Sequence, residues 1–470
     1  MADASPLELD PETMRRLGYQ VVDLLVDRLA TLDDQPVRQT ATREQLESRL
    51  REPAPELGRD FDELVARLQA DVLPYSSRVD HPRFLAFIPG CPTWPGILGE
   101  LLAKGSHLFQ GTWSSSGGPT ELELVLLDWF AGWLGMPEGT AGLLVSGGSH
   151  ANLTALACAR HARLGDGAEN AVVYASTQAH SSIARALRVL GFEADQLRLL
   201  QPDERHRLRP EDVAAAVEED VRASRRPLAV VANAGATNTG AVDPLPALRS
   251  LCDEHGLWFH VDAAYGGFAV LTERGRAALD GVGDADSVAL DPHKWLYQPY
   301  DAGCVLVREG SLLDATFSVA PEYMQDTAAR TGEVNFADRG IELTRPARAL
   351  KVWLSLQYFG VDAFRSAIDA SLDLAVAAEG QIRSSNALEL LTPATLGIVC
   401  FRRRIEGADE QEHERANALL VERIAESGLA MVSSTRLDGR YALRLCVLNH
   451  RTRREDVERV LRFFAEEPID

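Results

Sequence analysis

The sequence has few of the features that would assign it to a class at once. Its six cysteines are widely scattered and form no CxxC pair. We therefore expect neither a disulfide framework nor a zinc site, and a reducing cytoplasm is the expected location. No apolar run approaches the ~18–20 residues that span a bilayer. The first residues are acidic and lack the basic and apolar regions of a signal peptide, so we expect no such signal.

Positive charge is scarce as well. Lys and Arg number 48 against 69 Asp and Glu, which gives a formal net charge of −21. An acidic surface repels nucleic acid and anionic membranes, so neither is an expected partner. The charge does not exclude a small anionic ligand, because a local cationic site can lie in a globally anionic protein.

The middle of the chain, from about residue 81 to 360, has an α/β rhythm. Short apolar runs alternate with helical patterns, which is typical of buried strands in a mostly parallel sheet. Two of these runs end at Asp262 and Asp291, and ligands of open α/β sheets bind beyond the carboxyl ends of strands. The predicted strands are 142–146, 171–175, 228–233, 257–262, 287–290 and 303–307, and the helices between them include 151–162 and 245–255.

The two ends of the chain have different patterns. A helix that begins near Asp10-Pro11 carries an apolar stripe at helical spacing, and a second helix is predicted over 60–72. These helices have too small a core of their own, so we expect them to pack on something larger, such as a second subunit. The C-terminal region combines predicted strands and helices, namely strands 392–403 and 441–448 and helices 410–427 and 454–466.

A chain of 470 residues is long enough for two or three domains. We predict an N-terminal helical segment over residues 1–80, a large α/β domain over 81–360, and a small C-terminal α+β domain over 361–470.

The strongest chemical signal is a pair of segments, His260-Val261-Asp262-Ala263-Ala264-Tyr265-Gly266-Gly267 and Asp291-Pro292-His293-Lys294-Trp295. An enzyme that uses pyridoxal phosphate (PLP) needs a lysine that forms a Schiff base and an acid that keeps the pyridine nitrogen protonated. Lys294 and Asp262 supply both groups. Alone, Asp262 would be read as a cap or turn residue and Lys294 as a solvated amine. The flanking His293 and Trp295 argue against a plain surface lysine.

Two further segments are weaker signals. The turn Ser146-Gly147-Gly148-Ser149 follows an apolar run and precedes a helix, which is a favourable place for a phosphate. A Gly-Gly turn before a helix is mostly structural when it stands alone. His180 could stack on a cofactor ring, although a lone histidine is more often a core or capping residue.

Taken together, these segments resemble the group II PLP-dependent amino-acid decarboxylases, the family of aromatic L-amino acid and glutamate decarboxylases. The resemblance covers nearly the whole chain and is greatest to the aromatic branch. Besides the segments above, it rests on His81-Pro82-Arg83-Phe84, Trp113 with Thr120 to Glu123, Gln178 to Ser182, Arg345 with Leu350, Lys351 and Trp353, and Leu443-Arg444.

The resemblance implies a role for each matching residue. Lys294 is the Schiff-base lysine, Asp262 pairs with the pyridine nitrogen, His180 stacks on the ring and Ala264 packs on its other face. Tyr323 matches a loop tyrosine that protonates the substrate carbon after carbon dioxide leaves. The remaining implied cofactor contacts are Gly147, Gly148, Ser149, Thr237 and His293.

The resemblance also implies the aspartate-aminotransferase type of PLP fold (fold type I), which agrees with the α/β rhythm. It implies an obligate homodimer in which both chains build each active site. The N-terminal segment would then serve dimerisation, and the large α/β domain would bind PLP.

Several positions depart from the animal aromatic enzymes. Asp291 stands where those enzymes have Asn, and we expect an ionised carboxylate to turn away from a phosphate or to act through water. Smaller or less polar residues line the implied substrate pocket. This predicts a roomier pocket, better suited to an indole or phenyl ring than to a catechol. The implied pocket residues are Phe87, Ile88, Gly90, Phe109, Gly111 and Trp113.

The expected activity is therefore decarboxylation of an aromatic L-amino acid to the amine and carbon dioxide. One alternative is an aromatic aldehyde synthase, although such enzymes usually lack the loop tyrosine. Another is a decarboxylase of glutamate, cysteine sulfinate or diaminobutyrate, against which Trp295 and Phe87-Ile88 weigh. A scaffold that has lost its chemistry would be expected to lack Lys294, Asp262 or His180, and all three are present.

Overall fold

The computed structural model describes residues 5–165, 167–319, 322–327 and 329–469. Three helices come first, α1 (Pro11–Ala30), α2 (Arg43–Leu50) and α3 (Phe61–Asp71). Asp10 caps α1 by accepting hydrogen bonds from the amides of Glu12 and Thr13, both at 2.9 Å. Within the described part of the chain, α1 has no fully buried side chain, so its predicted apolar stripe is only partly covered.

A short strand, β1 (Phe84–Leu85), and two helices, α4 (Trp94–Gly105) and α5 (Trp113–Leu134), lead into a seven-stranded sheet. The strands lie in the order β2-β8-β7-β6-β5-β3-β4. Strand β8 is antiparallel to both neighbours and the other pairs are parallel, which confirms the predicted mostly parallel sheet. The strands are β2 (Ala141–Val145), β3 (Ala171–Ser176), β4 (Leu197–Leu200), β5 (Arg226–Asn233), β6 (Trp258–Asp262), β7 (Ser287–Leu290) and β8 (Gly303–Val307).

The central strands are buried on both faces because helices cover the sheet. Every residue of β6, β7 and β8 is buried, as expected for continuous apolar runs in a parallel sheet. Strand β4 was not predicted; it lies at the sheet edge and none of its residues is fully buried. The helices of this region are α6 (Gly148–Leu164), α7 (Ser182–Val189), α8 (Pro210–Arg222), α9 (Leu245–His255), α10 (Glu273–Ala278), α11 (Pro292–Trp295) and α12 (Ser311–Phe317).

A fully buried ion pair joins α5 to the end of β2. Arg345 Nη2 donates to Glu123 Oε1 at 2.7 Å and to the carbonyl of Leu144 at 2.6 Å. Glu123 accepts the amide of Leu144 at 2.7 Å and the side-chain amide of Gln110 at 2.8 Å. The guanidinium also lies 4.6 Å from the ring centroid of Phe336. This cluster fixes the strand that leads directly into the glycine turn.

The long helix α13 (Ala349–Ser384) crosses the predicted domain boundary and is broken at Gly360, where φ is 73°. It leads to a five-stranded sheet with the order β1-β11-β12-β10-β9, in which β1 pairs with β11. The remaining elements are β9 (Leu388–Thr395), β10 (Ile398–Arg403), α14 (Glu410–Glu426), β11 (Met431–Leu437), β12 (Arg440–Cys446) and α15 (Arg454–Glu466).

The predicted strand 392–403 is wrong, because this segment forms parts of two antiparallel strands, β9 and β10. The chain reverses at Leu396, which has a φ of 50°, and at Gly397. A Cβ at Gly397 would lie 2.5 Å from the carbonyl oxygen of Val447, so the turn packs too closely for a larger residue. In the part of the chain that the structure describes, no helix is both apolar enough and long enough to cross a bilayer.

Candidate active site

A cavity of about 290 Å³ lies at the carboxyl ends of β5, β6 and β7, as the strand pattern predicted. Asn233 and Asp262 end β5 and β6, and Asp291 directly follows β7. All the residues predicted to contact the cofactor line this one cavity. The lining residues are Ser146, Gly147, Gly148, Ser149, His150, Asn152, His180, Asn233, Gly235, Thr237, Asp262, Ala264, Tyr265, Asp291, His293 and Lys294.

Lys294 lies in the short helix α11, which begins immediately after Asp291. Its Nζ is 2.9 Å from Asp291 Oδ2. Burial lowers the pKa of the Lys294 ammonium, but the charge and hydrogen bond of Asp291 outweigh burial and raise the pKa above its ordinary value. In this state the lysine is therefore held as an ammonium group.

Asp291 was expected from the sequence to turn away from the phosphate or to act through water, but its side chain faces the glycine turn. Its carboxylate is buried against the turn, because a Cβ at Gly148 would lie 3.1 Å from Asp291 Oδ2. The ammonium of Lys294 explains this position, since a buried carboxylate needs a nearby cation. Asp291 Oδ1 is buried and has no hydrogen-bond partner among the described residues. His293 Nε2 lies 3.5 Å from Oδ2, and burial lowers the pKa of this histidine.

The glycine turn forms the start of α6, a helix of 17 residues. The first amide groups of a helix have no partner within the helix, and they favour an anion such as phosphate. A Cβ at Gly148 would also lie 2.8 Å from the Cβ of Ala264, so only glycine leaves this cradle open. Gly303, the first residue of β8, packs closely against the same turn, because a Cβ at this position would lie 2.4 Å from the Cα of Gly147.

Asp262 is oriented by two hydrogen bonds. Its Oδ1 accepts the backbone amide of Ala264 at 3.2 Å, and its Oδ2 accepts the side-chain amide of Asn152 at 2.9 Å. His180 is oriented by Ser182, whose backbone amide and hydroxyl lie 3.2 and 2.8 Å from Nδ1. No role was predicted from the sequence for Asn152 or Ser182, because the Asn152 contacts join positions 110 and 30 residues apart.

The six predicted substrate-pocket residues do not line this cavity within the described chain. Phe87 is 60% exposed and has a φ of 55°. Arg444 holds this conformation by donating to the Phe87 carbonyl at 2.6 Å, and it also donates to the Asn238 carbonyl at 3.1 Å. Trp295 is fully buried and stacks on Tyr265 with ring centroids 5.0 Å apart, so it lies in the core behind the cavity.

Gly90 and Gly111 do not enlarge a pocket in the way the sequence suggested. A Cβ at Gly90 would lie 1.9 Å from the carbonyl oxygen of His293. A Cβ at Gly111 would lie 2.4 Å from Phe109 Cζ and 2.6 Å from the carbonyl oxygen of Leu343. Both glycines allow close packing of neighbouring segments, so the roomier pocket gains no support at these two positions.

Tyr323 belongs to a short 3₁₀ helix, Glu322–Thr327. Its side chain lies outside the part of the chain that the structure describes. Its role as the proton donor therefore stays a prediction.

Comparison with known proteins yields matches over almost the whole chain. Residues 44–404 match the family model of the pyridoxal-dependent decarboxylase conserved domain. An aromatic-L-amino-acid decarboxylase of Bacillus atrophaeus is 44% identical over 97% of this chain and 95% of its own. A phenylacetaldehyde synthase of Arabidopsis thaliana is 32% identical over 98% of this chain and 96% of its own. The crystal structure of Oryza sativa TDC with PLP and tryptamine has a TM-score of 0.93 at 30% identity, covering 98% of this chain and 99% of that one.

Proposed function

The chain belongs to the pyridoxal-dependent decarboxylase family, and we propose that it converts an aromatic L-amino acid to the corresponding amine and carbon dioxide. One observation carries the proposal: Lys294, Asp262 and the glycine turn line the same cavity at the carboxyl ends of the strands. The protein is a PLP-dependent carboxy-lyase by family, and the aromatic substrate class is supported by the relatives that match along its full length.

The residues of the cavity fit PLP. The open cradle at Gly148 and the start of α6 suit its phosphate, and Lys294 supplies the amine for the covalent link. When bound, PLP supplies an aldehyde for that link and a ring that takes up the electrons of a breaking bond. We assign the carboxylate of Asp262 to the ring nitrogen, where a negative charge keeps a proton in place. His180 and Ala264 are assigned to the two faces of the ring.

Lys294 must lose its proton before the amine can act as a nucleophile. Asp291 Oδ2 lies 2.9 Å from Nζ, and its charge raises the pKa of Lys294. We therefore assign Asp291 as the counter-ion that holds Lys294 in its ammonium form. Pairing with the ammonium offsets the charge of the carboxylate, which lessens the repulsion of a phosphate that the sequence suggested.

We propose a homodimer with shared active sites. Helix α1 supports it, because Met14, Tyr19, Val21 and Val26 on this helix stay exposed and need a covering surface. The six described cysteines are all free thiols, which supports a reducing location such as the cytoplasm.

Aromatic aldehyde synthesis remains the second candidate, since one full-length relative is a phenylacetaldehyde synthase. Tyr323 favours the decarboxylase. The side chain would give a proton to the substrate carbon and so complete the amine.

A product assay tests the proposal. Purified, PLP-loaded protein meets tryptophan, 5-hydroxytryptophan, tyrosine, DOPA, phenylalanine, histidine, glutamate and diaminobutyrate in air, and amine, aldehyde and peroxide are measured together. We expect amine from at least one aromatic substrate without stoichiometric peroxide. Aldehyde with peroxide would establish the synthase instead, and turnover of glutamate or diaminobutyrate alone would overturn the aromatic assignment. Lys294→Ala is the inactive control.

A further inference from the structure

A chain of hydrogen bonds in the wall of the cavity connects Asp262 to His180. Asn152 is its branch point, because its Nδ2 donates to Asp262 Oδ2 and to Ser182 Oγ, both at 2.9 Å. Its Oδ1 lies 2.9 Å from Nε2 of His260. All of the amide's hydrogen-bonding capacity on the nitrogen side is therefore used by the two branches that reach the cavity.

The direction of each hydrogen bond can be deduced. Asp262 accepts hydrogen bonds only, so Asn152 must turn its amide nitrogen towards Asp262 and its oxygen towards His260. His260 then carries its proton on Nε2, and its Nδ1 accepts from the Ser287 hydroxyl at 2.8 Å. Ser287 Oγ is in turn free to accept Trp258 Nε1–H at 2.8 Å. This arrangement gives each of these donors a matching acceptor.

The second branch fixes the histidine that faces the cavity. Ser182 Oγ accepts from Asn152, so its own proton is available for His180 Nδ1 at 2.8 Å. The backbone amide of Ser182 also donates to Nδ1 at 3.2 Å, so Nδ1 is an acceptor. The proton of the neutral His180 ring therefore lies on Nε2.

The network contains few charges. Asn152, Ser182, His260 and Ser287 are all buried. Burial lowers the pKa of His260 to about 4, so this histidine is neutral at physiological pH. The charged group on the network is Asp262, and the charge of Lys294 interacts with it.

We propose that Asn152 is a positioning residue that sets Asp262 and His180 at the same time, with His260 and Ser287 fixing the orientation of its amide. This proposal rests on the roles proposed above for Asp262 and His180. A hydrogen bond to the charged form of Asp262 favours that form, and so strengthens its hold on a protonated ring nitrogen. The same amide keeps Ser182 turned so that His180 presents Nε2–H to the cavity.

The test uses holoenzyme loaded with PLP that is labelled with nitrogen-15 in the ring. The chemical shift of this nitrogen reports its protonation across a pH titration. In Asn152→Ala, we expect the midpoint for loss of the ring proton to fall by about one pH unit, a tenfold weaker preference for the protonated ring. Should Asn152→Ala give no folded protein, Asn152→Ser, which keeps one donor, is expected to shift the midpoint in the same direction by less.

Two further variants separate a positioning effect from general damage. Thr154 lies on the same helix and is buried, with a hydroxyl that has no partner among the described residues. In Thr154→Val, the midpoint for loss of the ring-nitrogen proton should therefore not move. Ser182→Ala breaks only the branch to His180. It should leave the ring-nitrogen midpoint in place and lower kcat, because His180 then keeps only the 3.2 Å bond from the backbone amide of residue 182.

The outcomes distinguish the two levels of the argument. A ring nitrogen that is unprotonated in the wild-type holoenzyme would overturn the proposed role of Asp262. A protonated ring whose midpoint is the same in wild type and Asn152→Ala would overturn the positioning role alone. Equal shifts in Asn152→Ala and Thr154→Val would also overturn it, because any loss in the helix would then suffice.

Discussion

The buried ion pair between Glu123 and Arg345 allows a quantitative prediction. Both side chains have no exposed surface, and Glu123 accepts hydrogen bonds from Arg345, Leu144 and Gln110. In Glu123→Gln the charge is lost and one acceptor oxygen becomes an NH₂ group. That group must then face a donor, while the guanidinium stays buried without its counter-ion.

Breaking a buried ion pair from one side costs about 3–5 kcal/mol. Unfolding entropy of about 2.1 cal/mol/K per residue corresponds to about 1 kcal/mol/K for 470 residues. The thermal midpoint of Glu123→Gln should therefore fall by about 3–5 °C. Because this cluster also holds the Leu144 amide just before the glycine turn, weakening it should raise the dissociation constant for PLP as well.

Differential scanning calorimetry and an equilibrium titration with PLP measure the two effects. Glu47→Gln is the matched control, since Glu47 pairs with Arg43 and Arg51 at the surface of α2. Its free energy of unfolding should change by no more than about 0.5 kcal/mol. A midpoint for Glu123→Gln that equals that of the control would refute the reasoning, because it would mean that the buried charge of Arg345 needs no partner.

Three other predictions concern protons. Asp291→Asn removes the carboxylate that raises the pKa of Lys294, while burial continues to lower this pKa, so more of the amine is unprotonated. Covalent capture of PLP, followed by stopped-flow absorbance, should accelerate about tenfold for each unit by which the pKa falls. An unchanged rate would contradict this prediction. Burial lowers the pKa of His81 to about 4 in the folded protein, as it does for His260, so between pH 6.5 and 4 the unfolded chain binds protons that the folded chain does not. Stability should be lost as the pH falls through this window, by up to about 1.4 kcal/mol per pH unit for each histidine, and urea midpoints that are equal at pH 7.0 and 5.5 would argue against it. Tyr323→Phe should shift the product from amine towards aldehyde with peroxide, measured in the same panel assay, and an unchanged product ratio would remove the proposed role of this tyrosine.

The strands that build the site were predictable because their periodicity is simple. Strands β7 and β8 lie at their predicted bounds, and β6 begins one residue later, since each is an apolar run buried on both faces. The location of Asp262 and Lys294 in one cavity followed from their positions at the ends of neighbouring strands. The antiparallel pair β9 and β10 was missed because its reversal uses only Leu396 and Gly397, and an apolar leucine gives no turn signal.

The side-chain contacts around the cavity could not be predicted from the sequence. The network around Asn152 joins residues up to 110 positions apart, and a one-dimensional pattern does not give the direction in which an amide points. Asp291 was expected to avoid the phosphate because its pairing with Lys294 was not foreseen. Gly90 was read as empty space, whereas the backbone of His293 occupies the place of its missing side chain.

The contact between Gly303 and Gly147 has a mechanical consequence. The segment that carries Lys294 connects two adjacent strands, β7 and β8, and its far end touches the glycine turn through backbone atoms alone. The two positions proposed to bind the cofactor, at its phosphate and at its aldehyde, are therefore held at a fixed distance by the sheet itself. Movement of surface loops that admit substrate or release amine would leave this distance unchanged, so the site would favour a cofactor of one length.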